Sequence, residues 1–199
     1  MTIGEQDALE DLLLQIRACQ ECAQHLPHAP RPVIQASASA RLCIAGQAPG
    51  TRVHASGLPF DDASGDRLRQ WMGIGREIFY DPAKIATGPM GFCYPGQDAK
   101  GGDLPPRPEC APMWRDRVFG HLPRLELILL VGQYAQRWHL KQRHKENLTE
   151  TVRAWREYLP RMLPLPHPSW RNTGWLKKHP WFEAELLPEL QKRTARLTR

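Results

Sequence analysis

The stretch ARLCIAGQAPG, residues 40–50, decides the fold class of this 199-residue chain. Its first half is a short, mostly apolar run that ends in glycine, which is typical of a buried strand followed by a turn. The stretch LELILLVG at residues 125–132 has the same form, and RMLPL at residues 161–165 is a third short apolar strand. The first two strands each lead into a polar segment and then a helix. This order predicts an α/β fold with a parallel sheet.

Helices are predicted wherever apolar side chains recur at the spacing of one helical face. They occupy four segments, residues 8–16, 64–73, 148–159 and 180–199. Ser64 is expected to cap the second helix, and the ring of Pro188 should kink or split the last one. The loops at residues 50–63 and 94–109 are long for a compact domain, which favours a functional site at the strand ends.

The composition indicates one compact domain over residues 1–199, with 41% apolar residues and a formal net charge of +6. The basic balance favours a polyanionic partner such as nucleic acid, although many basic proteins bind no polyanion. No apolar run approaches the roughly 20 residues that span a bilayer, and the N-terminal stretch is acidic and helical rather than a signal peptide. We therefore expect a cytoplasmic protein without a membrane partner, whose cysteines are thiols or metal ligands rather than disulfides.

The segment after the first strand, GQAPGTRVHASGLPFDDASGD at residues 46–66, has the composition of a ligand-binding loop. Gly46, Gly50 and Gly57 let the backbone approach a ligand closely, and Phe60 offers a flat aromatic face. The segment is not a nucleotide-binding P-loop, because the Gly-Lys-Ser/Thr ending is missing. The alternative interpretation is a plain connection with Phe60 in the core.

Four of the five cysteines form a pattern that suits a metal centre. Cys19 and Cys22 make a C-x-x-C at a predicted helix end, and Cys93 and Cys110 lie in a Gly/Pro-rich loop. Four thiolates can close a site that holds a 4Fe-4S cluster or zinc, and the spacing does not choose between them. The alternative is four unrelated thiols. Cys43 lies inside an apolar strand, where we expect a small buried side chain.

The stretch LPLPHPSWRNTGW, residues 163–175, holds a histidine between two prolines. Pro166 and Pro168 stiffen the backbone on both sides of His167, so its ring can donate a hydrogen bond with little reorganisation. That suits the stabilisation of a developing oxyanion, although a lone histidine is more often structural. The basic side chains of residues 177–179 can add phosphate contacts.

Together these stretches resemble the uracil-DNA glycosylase superfamily over about residues 12–190, and the cysteines resemble its iron-sulfur branch, families 4 and 5. The first motif of the superfamily, G-[EQ]-A-P-G, matches residues 46–50, and the G-x-P-F block matches residues 57–60. The SGD at residues 64–66 is similar to the family 5 pattern, and the second motif, His-Pro-Ser or His-Pro-Ala, matches residues 167–169. Each motif alone is weak, but their order and spacing together are strong.

The resemblance implies a three-layer α/β/α fold, with a central four-stranded parallel sheet and a DNA groove at the strand ends. It also implies a monomeric, monofunctional DNA glycosylase of base-excision repair. Such an enzyme flips a damaged base, here uracil in the first place, out of DNA and hydrolyses its N-glycosidic bond. The cluster is expected to be structural, because relatives carry it away from the pocket and the reaction has no redox step.

The resemblance also assigns roles to individual residues. Phe60 is expected to stack on the flipped base, and His167 is expected to donate a hydrogen bond to the base O2. The pocket is expected to be lined by Gln47, Ala48, Pro49 and Gly50. The DNA is expected to contact Ser169, Trp170, Arg171, Asn172 and Lys177. The tryptophan and the arginine of this set would fill the gap that the base leaves in the stack.

The chain departs from the family pattern where relatives read the base. Pro89 stands where iron-sulfur relatives usually carry an asparagine that reads the uracil edge, so base reading is expected to fall to backbone groups of Met90, Gly91 and Phe92. A same-fold glycosylase for another base, such as hypoxanthine, xanthine or a bulky modified cytosine, is therefore an alternative. A catalytically weak DNA-binding homologue is a second alternative, and an unrelated zinc-stabilised binding module is the least favoured one.

The carboxylate that activates water also departs from the pattern, because the first motif of this chain contains no acid. Asp62 is the first candidate by its register with the family 5 block, and Asp61 is the second. Asp66 is expected in the first turn of a helix, where the helix dipole favours a carboxylate for structural reasons.

Overall fold

The structure, a computed structural model, describes residues 3–199, with side chains from residue 6 onward. Met1 and Thr2, which belong to the predicted domain and its N-terminal stretch, lie outside the described residues. The strands are β1 (Leu42–Ala45), β2 (Ile85–Thr87), β3 (Leu127–Val131) and β4 (Met162–Leu165). The α-helices are α1 (Ile3–Arg17), α2 (Thr51–Ser56), α3 (Ala63–Met72), α4 (Arg76–Phe79), α5 (Cys110–Gly120), α6 (Gln133–Leu140), α7 (Leu148–Arg153), α8 (Thr173–Lys178) and α9 (Leu187–Leu197). Within this part of the chain, no helix is both long and apolar enough to cross a membrane.

The four strands form one parallel sheet in the order β2-β1-β3-β4. In the register of this sheet, Ile44 on β1 lies beside Thr87 on β2 and beside Leu129 on β3. Every residue of β1, β2 and β3 is buried, as expected for strands that are covered on both faces. The predicted α/β fold with a four-stranded parallel sheet is confirmed.

Helices cover both faces of the sheet, so the fold has three layers. On one face, α1, α5 and α6 pack over a core in which Cys43 joins Leu13 and Trp114. On the other face, α3, α4, α7 and α9 cover a core in which Ile44 joins Phe79. Neighbouring strand residues point to opposite faces because side chains alternate along a strand. Cys43 is 1% exposed, which confirms its predicted burial.

The helices predicted at residues 64–73 and 148–159 differ from the structure at one end each. Asp62, and not Ser64, caps α3, because the Asp62 Oδ1 accepts a hydrogen bond from the Gly65 N–H at 2.8 Å. The helix predicted at residues 148–159 ends at Arg153 and is followed by a 3-10 turn, Trp155–Tyr158.

The predicted loop at residues 50–63 is partly helical, because α2 forms within it. The loop predicted at residues 94–109 contains no helix or strand of its own. The C-terminal helix is not split at Pro188, because the π-helical segment Phe182–Leu186 continues directly into α9 with helical backbone at Leu186 and Leu187. Pro188 lies in the first turn of α9, directly after the π-helical segment.

Candidate active site

The carboxyl ends of the strands meet at one cleft of about 160 Å³, which we call the central cleft. Ligands of parallel α/β folds bind at this edge of the sheet. The predicted site residues that line the cleft are Gln47, Ala48, Pro49, Gly50, Phe60, Asp62, His167, Ser169, Trp170 and Arg171. Sequence reasoning missed Val33, Thr87 and Asp103, which line the same cleft but lie outside both motifs.

The surroundings of His167 in the cleft favour one tautomer of its neutral ring. Its Nδ1 accepts a hydrogen bond from the backbone N–H of Ser169 at 3.2 Å. Burial lowers the pKa of His167, and the carboxylates of Asp62 and Asp103 act against that shift. A neutral imidazole whose Nδ1 accepts a hydrogen bond carries its proton on Nε2. His167 therefore offers a neutral Nε2–H donor.

Side chains from neighbouring segments fix the backbone that carries His167. The Asn172 Nδ2 donates a hydrogen bond to the His167 carbonyl at 2.7 Å, and Arg67 on α3 donates one to the Ser169 carbonyl at 3.0 Å. Asn172 was expected to contact DNA, but it does not line the central cleft. Its amide binds the His167 carbonyl and its side chain lines a neighbouring groove, so its contact with DNA stays a prediction.

Phe60 lines the central cleft from a strained backbone. Its φ of 54° lies in the left-handed region, which aromatic residues rarely adopt. The Phe60 carbonyl accepts hydrogen bonds from Arg69 Nη1 at 3.3 Å and from the Tyr80 hydroxyl at 3.4 Å. Its ring meets the ring of Phe79 edge-on, with 6.1 Å between centroids. Phe60 thus packs on the core and also presents its ring to the cleft.

Of the three candidate aspartates, only Asp62 lines the central cleft. Asp61 does not line it, because its carboxylate pairs with the exposed Arg76 at 3.2 Å outside the cleft. The prediction of Asp61 as an alternative catalytic residue therefore does not fit the structure. Asp66 lies in the first turn of α3, as predicted, and its carboxylate pairs with Arg69 on the same helix at 2.6 Å.

The long loop before α5 forms a wall of the cleft, although the sequence did not indicate which of its residues reach the site. Asp103 belongs to this loop and lines the cleft. The Gln47 Nε2 donates a hydrogen bond to the carbonyl of Leu104, and the Arg171 Nη2 donates one to the carbonyl of Gly101, each at 3.0 Å. Both motif loops therefore hold this loop in place. The only signal for it in the sequence was its length.

Met90, Gly91 and Phe92 do not line the central cleft, so their predicted base reading does not fit the structure. Their backbone N–H groups are already used. Met90 and Gly91 donate to carbonyls of the first motif loop, and Phe92 donates to the Sγ of Cys110 at 3.3 Å. This segment ties the motif loop to α5. Thr87 at the end of β2 and Pro89 in the loop after it line the cleft instead.

The buried guanidinium of Arg115 holds the backbone at Gly88 and Pro89, directly after β2. Arg115 on α5 is 1% exposed, and its Nη1 donates hydrogen bonds to the carbonyls of Gly88 at 2.7 Å and Pro89 at 3.0 Å. Burial lowers the pKa of Arg115 to about 10, so the side chain is still charged at neutral pH. Burial and Arg115 lower the pKa of His139 to about 3, and its neutral ring lies 2.6 Å from Arg115 Nη2. Arg115 therefore fixes the backbone beside the cleft from the opposite side.

Trp170 stands at the rim of the central cleft with 70% of its surface exposed. The guanidinium of Arg171 lies 5.0 Å from its ring centroid, which is a cation–π contact. A second groove begins at His167 and runs past Trp175 on α8. Lys177 on α8 is exposed and does not line the cleft, so its contact with phosphate stays a prediction.

Cys19, Cys22, Cys93 and Cys110 line one pocket, which we call the cysteine pocket. They come from the segment after α1, the loop after β2 and the first residue of α5. In the described part of the chain, the cysteine pocket and the central cleft share no lining residue. The four cysteines that the sequence grouped are therefore neighbours, at a place separate from His167.

The chemistry of the cysteine pocket suits a thiolate-bound metal centre. Burial, together with the neighbouring thiols, raises the pKa of Cys93 to about 11 and that of Cys110 to about 12. Free thiols there are neutral, whereas a bound metal would deprotonate them. The Phe92 N–H that points at the Cys110 Sγ is the kind of second contact that stabilises a ligand sulfur. Among the side chains described, those of residues 6–199, no three His, Cys, Asp or Glu already stand in position around a single ion. Metal binding therefore requires the cysteine side chains to adjust.

Fold and cleft together define an α/β protein whose ligand site lies at the carboxyl edge of a parallel sheet, with a histidine and an aromatic ring in it. The family model of the Uracil DNA glycosylase superfamily matches residues 34–191, so the chain belongs to this superfamily. Its members are typically N-glycosylases that remove uracil or other bases, so membership indicates DNA glycosylase activity with DNA as the substrate. The matched segment contains Cys93 and Cys110 and begins after Cys19 and Cys22.

Proposed function

We propose that this protein is a monofunctional DNA glycosylase of base-excision repair, which flips a damaged base, uracil in the first place, into the central cleft. The observation that carries the proposal is the convergence of His167, Phe60 and Asp62 on one cleft at the strand ends. A stacking ring, a neutral N–H donor and a carboxylate are the groups that N-glycoside hydrolysis requires.

The proposed reaction breaks the bond between the sugar C1′ and the base nitrogen. The electron pair of this bond leaves with the base, and the sugar becomes oxocarbenium-like. The His167 Nε2–H donates a hydrogen bond to the O2 of the departing base and stabilises its negative charge. Asp62 orients a water that adds to C1′, and the proton of this water is released to the carboxylate and then to solvent. Phe60 keeps the base stacked while the bond breaks.

The proposed DNA contacts surround the cleft. Trp170 enters the gap that the flipped base leaves in the stack, because it is a large exposed ring at the rim of the cleft. Ser169 and Arg171 lie beside it in the lining, and Lys177 on α8 adds a charge for the phosphate backbone. The net charge of +6 supports this polyanionic partner.

We further propose that the cysteine pocket binds a 4Fe-4S cluster through Cys19, Cys22, Cys93 and Cys110. The support is the convergence of four thiols from three parts of the chain, with a backbone N–H at the Cys110 sulfur. A bound cluster would cross-link these segments and leave the chemistry to the central cleft. Zinc bound by the same four thiols is the alternative occupant.

A second candidate is a glycosylase of the same fold that acts on another base. One observation favours it: among the described residues, no asparagine lines the central cleft. The side-chain amide of Gln47 is also engaged, since its Nε2 donates to the Leu104 carbonyl. A cleft without a free side-chain amide has to recognise the base edge through other groups, and these need not select uracil. Hypoxanthine, xanthine and modified cytosines are therefore included among the lesions tested.

The experiment is a panel of DNA duplexes, each with one lesion, incubated with the protein and then cleaved with alkali at abasic sites. We expect strand cleavage at uracil, and expect His167→Ala to abolish most of it. His121→Ala is the matched control, because His121 follows α5 and does not line the cleft. Cleavage at another lesion instead of uracil would establish the second candidate. Retention of DNA without cleavage at any lesion would reject both and leave a DNA-binding homologue.

A further inference from the structure

Thr87 is the last residue of β2 and lines the central cleft. Its backbone is fully engaged, since its N–H donates to the Gln35 carbonyl at 2.7 Å and its carbonyl accepts the Gln35 N–H at 3.1 Å. The side chain is only 2% exposed. Within the described residues, its Oγ1 is buried and has no hydrogen-bond partner.

A buried hydroxyl without a partner costs free energy, because it loses its hydrogen bonds to water and gains none in the protein. Valine has nearly the same shape and would avoid that cost at a site as buried as this one. A threonine hydroxyl that is left unpaired next to a ligand cleft therefore points to a partner that arrives with the ligand.

The position of Thr87 in the sheet indicates which part of the ligand it meets. β2 and β4 are the two edge strands, so the three intervening strand spacings, at about 4.8 Å each, separate their ends by roughly 14 Å. His167 follows β4 and Thr87 ends β2, so a base bound between them meets these residues at opposite edges. Phe60 belongs to the core on the sheet face of Ile85, and Thr87 points to that same face because it lies two residues on from Ile85.

We infer that Thr87 is a specificity-determining residue, whose hydroxyl hydrogen-bonds the base edge opposite the one held by His167. For a pyrimidine bound through O2 to His167, that edge carries the C4 substituent. This inference rests on the proposed glycosylase function and names the group that replaces the missing asparagine. A single hydroxyl both donates and accepts, so it distinguishes a base with a polar C4 substituent from one without. It discriminates less between a keto and an amino group than a carboxamide does.

The test compares Thr87→Val with wild type on duplexes that contain either uracil or 2-pyrimidinone, which has O2 but no C4 substituent. The two bases differ as leaving groups, but this difference is the same for wild type and variant. The ratio of kcat/KM on uracil to kcat/KM on 2-pyrimidinone should therefore be higher for wild type than for Thr87→Val. Thr87→Val should lose about tenfold in kcat/KM on uracil, the value of one hydrogen bond, and little on 2-pyrimidinone. Thr87→Ser keeps the hydroxyl and should recover most of this loss.

Stability separates this role from a structural one. Removal of an unpaired buried hydroxyl should leave the Tm of Thr87→Val equal to or above that of wild type while activity falls. Thr194→Val is the matched control: the Thr194 Oγ1 is also buried and unpartnered within residues 3–199, but Thr194 lies in α9 and not in the cleft. It should leave base release unchanged. Binding to a duplex with an abasic site should not change in either variant.

The outcomes separate the two proposals. If wild type releases uracil and Thr87→Val releases it equally well, or loses the same factor on both bases, the role of Thr87 is wrong while the glycosylase function stands. If wild type releases neither these bases nor any lesion in the panel, the glycosylase function fails and the role of Thr87 fails with it.

Discussion

Gly65 packs so closely beneath the carbonyl group of Phe60 that a Cβ at position 65 would overlap the carbonyl oxygen. The same glycine donates its N–H to Asp62, which caps α3. One residue without a side chain therefore sets the backbone of both the proposed stacking ring and the proposed carboxylate. A side chain at position 65 would push against the strained, left-handed backbone of Phe60.

We predict that Gly65→Ala displaces Phe60 and loses most base release. The overlap is with backbone, which cannot rotate away, so we also expect a loss of about 1–3 kcal/mol in the free energy of unfolding. Denaturant unfolding and a base-release assay on uracil DNA measure the two effects. Gly120→Ala is the control, since a Cβ there meets no atom within 4 Å. An active, fully stable Gly65→Ala protein would show that Phe60 does not need its observed backbone.

The pH dependence of base release should report the protonation of His167. Burial lowers its pKa below the ordinary value, and the negative charges of Asp62 and Asp103 act in the opposite direction. If the neutral ring is the active form, kcat/KM falls as the pH drops through the pKa of His167. Asp103→Asn removes a charge that raises this pKa, so it should move the acid limb of the profile to lower pH.

The pH–rate profile of kcat/KM and an NMR titration of the His167 ring protons measure this shift independently. Asp11→Asn is the control, because Asp11 is exposed on α1, outside the cleft. If Asp103→Asn shifts the pKa of His167 measured by NMR but leaves the acid limb of the kcat/KM profile in place, that limb reports another group.

Trp170→Ala should weaken base release from duplex DNA more than from single-stranded DNA, because only a duplex leaves a gap in a paired stack. Stacking contacts of this kind are worth about 1–3 kcal/mol, or roughly 5- to 150-fold in rate. The Tm should not change, since the side chain is 70% exposed. Leu14→Ala removes another exposed apolar side chain, 60% exposed on α1, and should affect neither substrate. An equal loss on both substrates would contradict the role of Trp170 as a wedge.

The sequence was sufficient to predict those parts of the fold in which local pattern and burial agree. β1 and β3 are apolar runs that end near glycine, so their strands could be predicted to within a few residues. β2 has only three residues, Ile85–Thr87, too few to show a period, and its place in the sheet depends on pairing with β1. The cap of α3 was misplaced because Asp62 and Ser64 are both good caps by type, and the turn at Phe60 decides between them.

The candidate site was predictable where residue type dictates a backbone role. Glycines and prolines mark the two motif loops, and these loops meet because the carboxyl ends of parallel strands share one edge. Asp103 and Thr87 carry no such signal. Asp103 reaches the cleft through a loop held by Gln47 and Arg171, and Thr87 reaches it through the register of β2. Both depend on tertiary contacts that no local pattern contains.

The cysteine pocket gives the last prediction, which separates the proposed 4Fe-4S cluster from zinc and from free thiols. Freshly purified protein should be coloured, with the visible absorbance of an iron-sulfur cluster and about four iron atoms per chain. Cys110→Ala should lose the colour and about 2–5 kcal/mol of unfolding free energy, because the cluster cross-links α5 to segments far away in the chain. Cys43→Ala should keep the colour and lose about 1 kcal/mol, since Cys43 lies in β1 and not in the pocket. A colourless protein with one zinc per chain would show that zinc, and not the cluster, occupies the pocket. A protein that contains neither iron nor zinc would show that the four cysteines are free thiols.

Because the pocket and the central cleft share no lining residue among the described residues, the folded fraction of Cys110→Ala should still release the base. A folded but inactive Cys110→Ala protein would show that the metal centre acts on the cleft. The path would be the contact of Cys110 with Phe92, because Phe92 is three residues after Pro89, which lines the cleft.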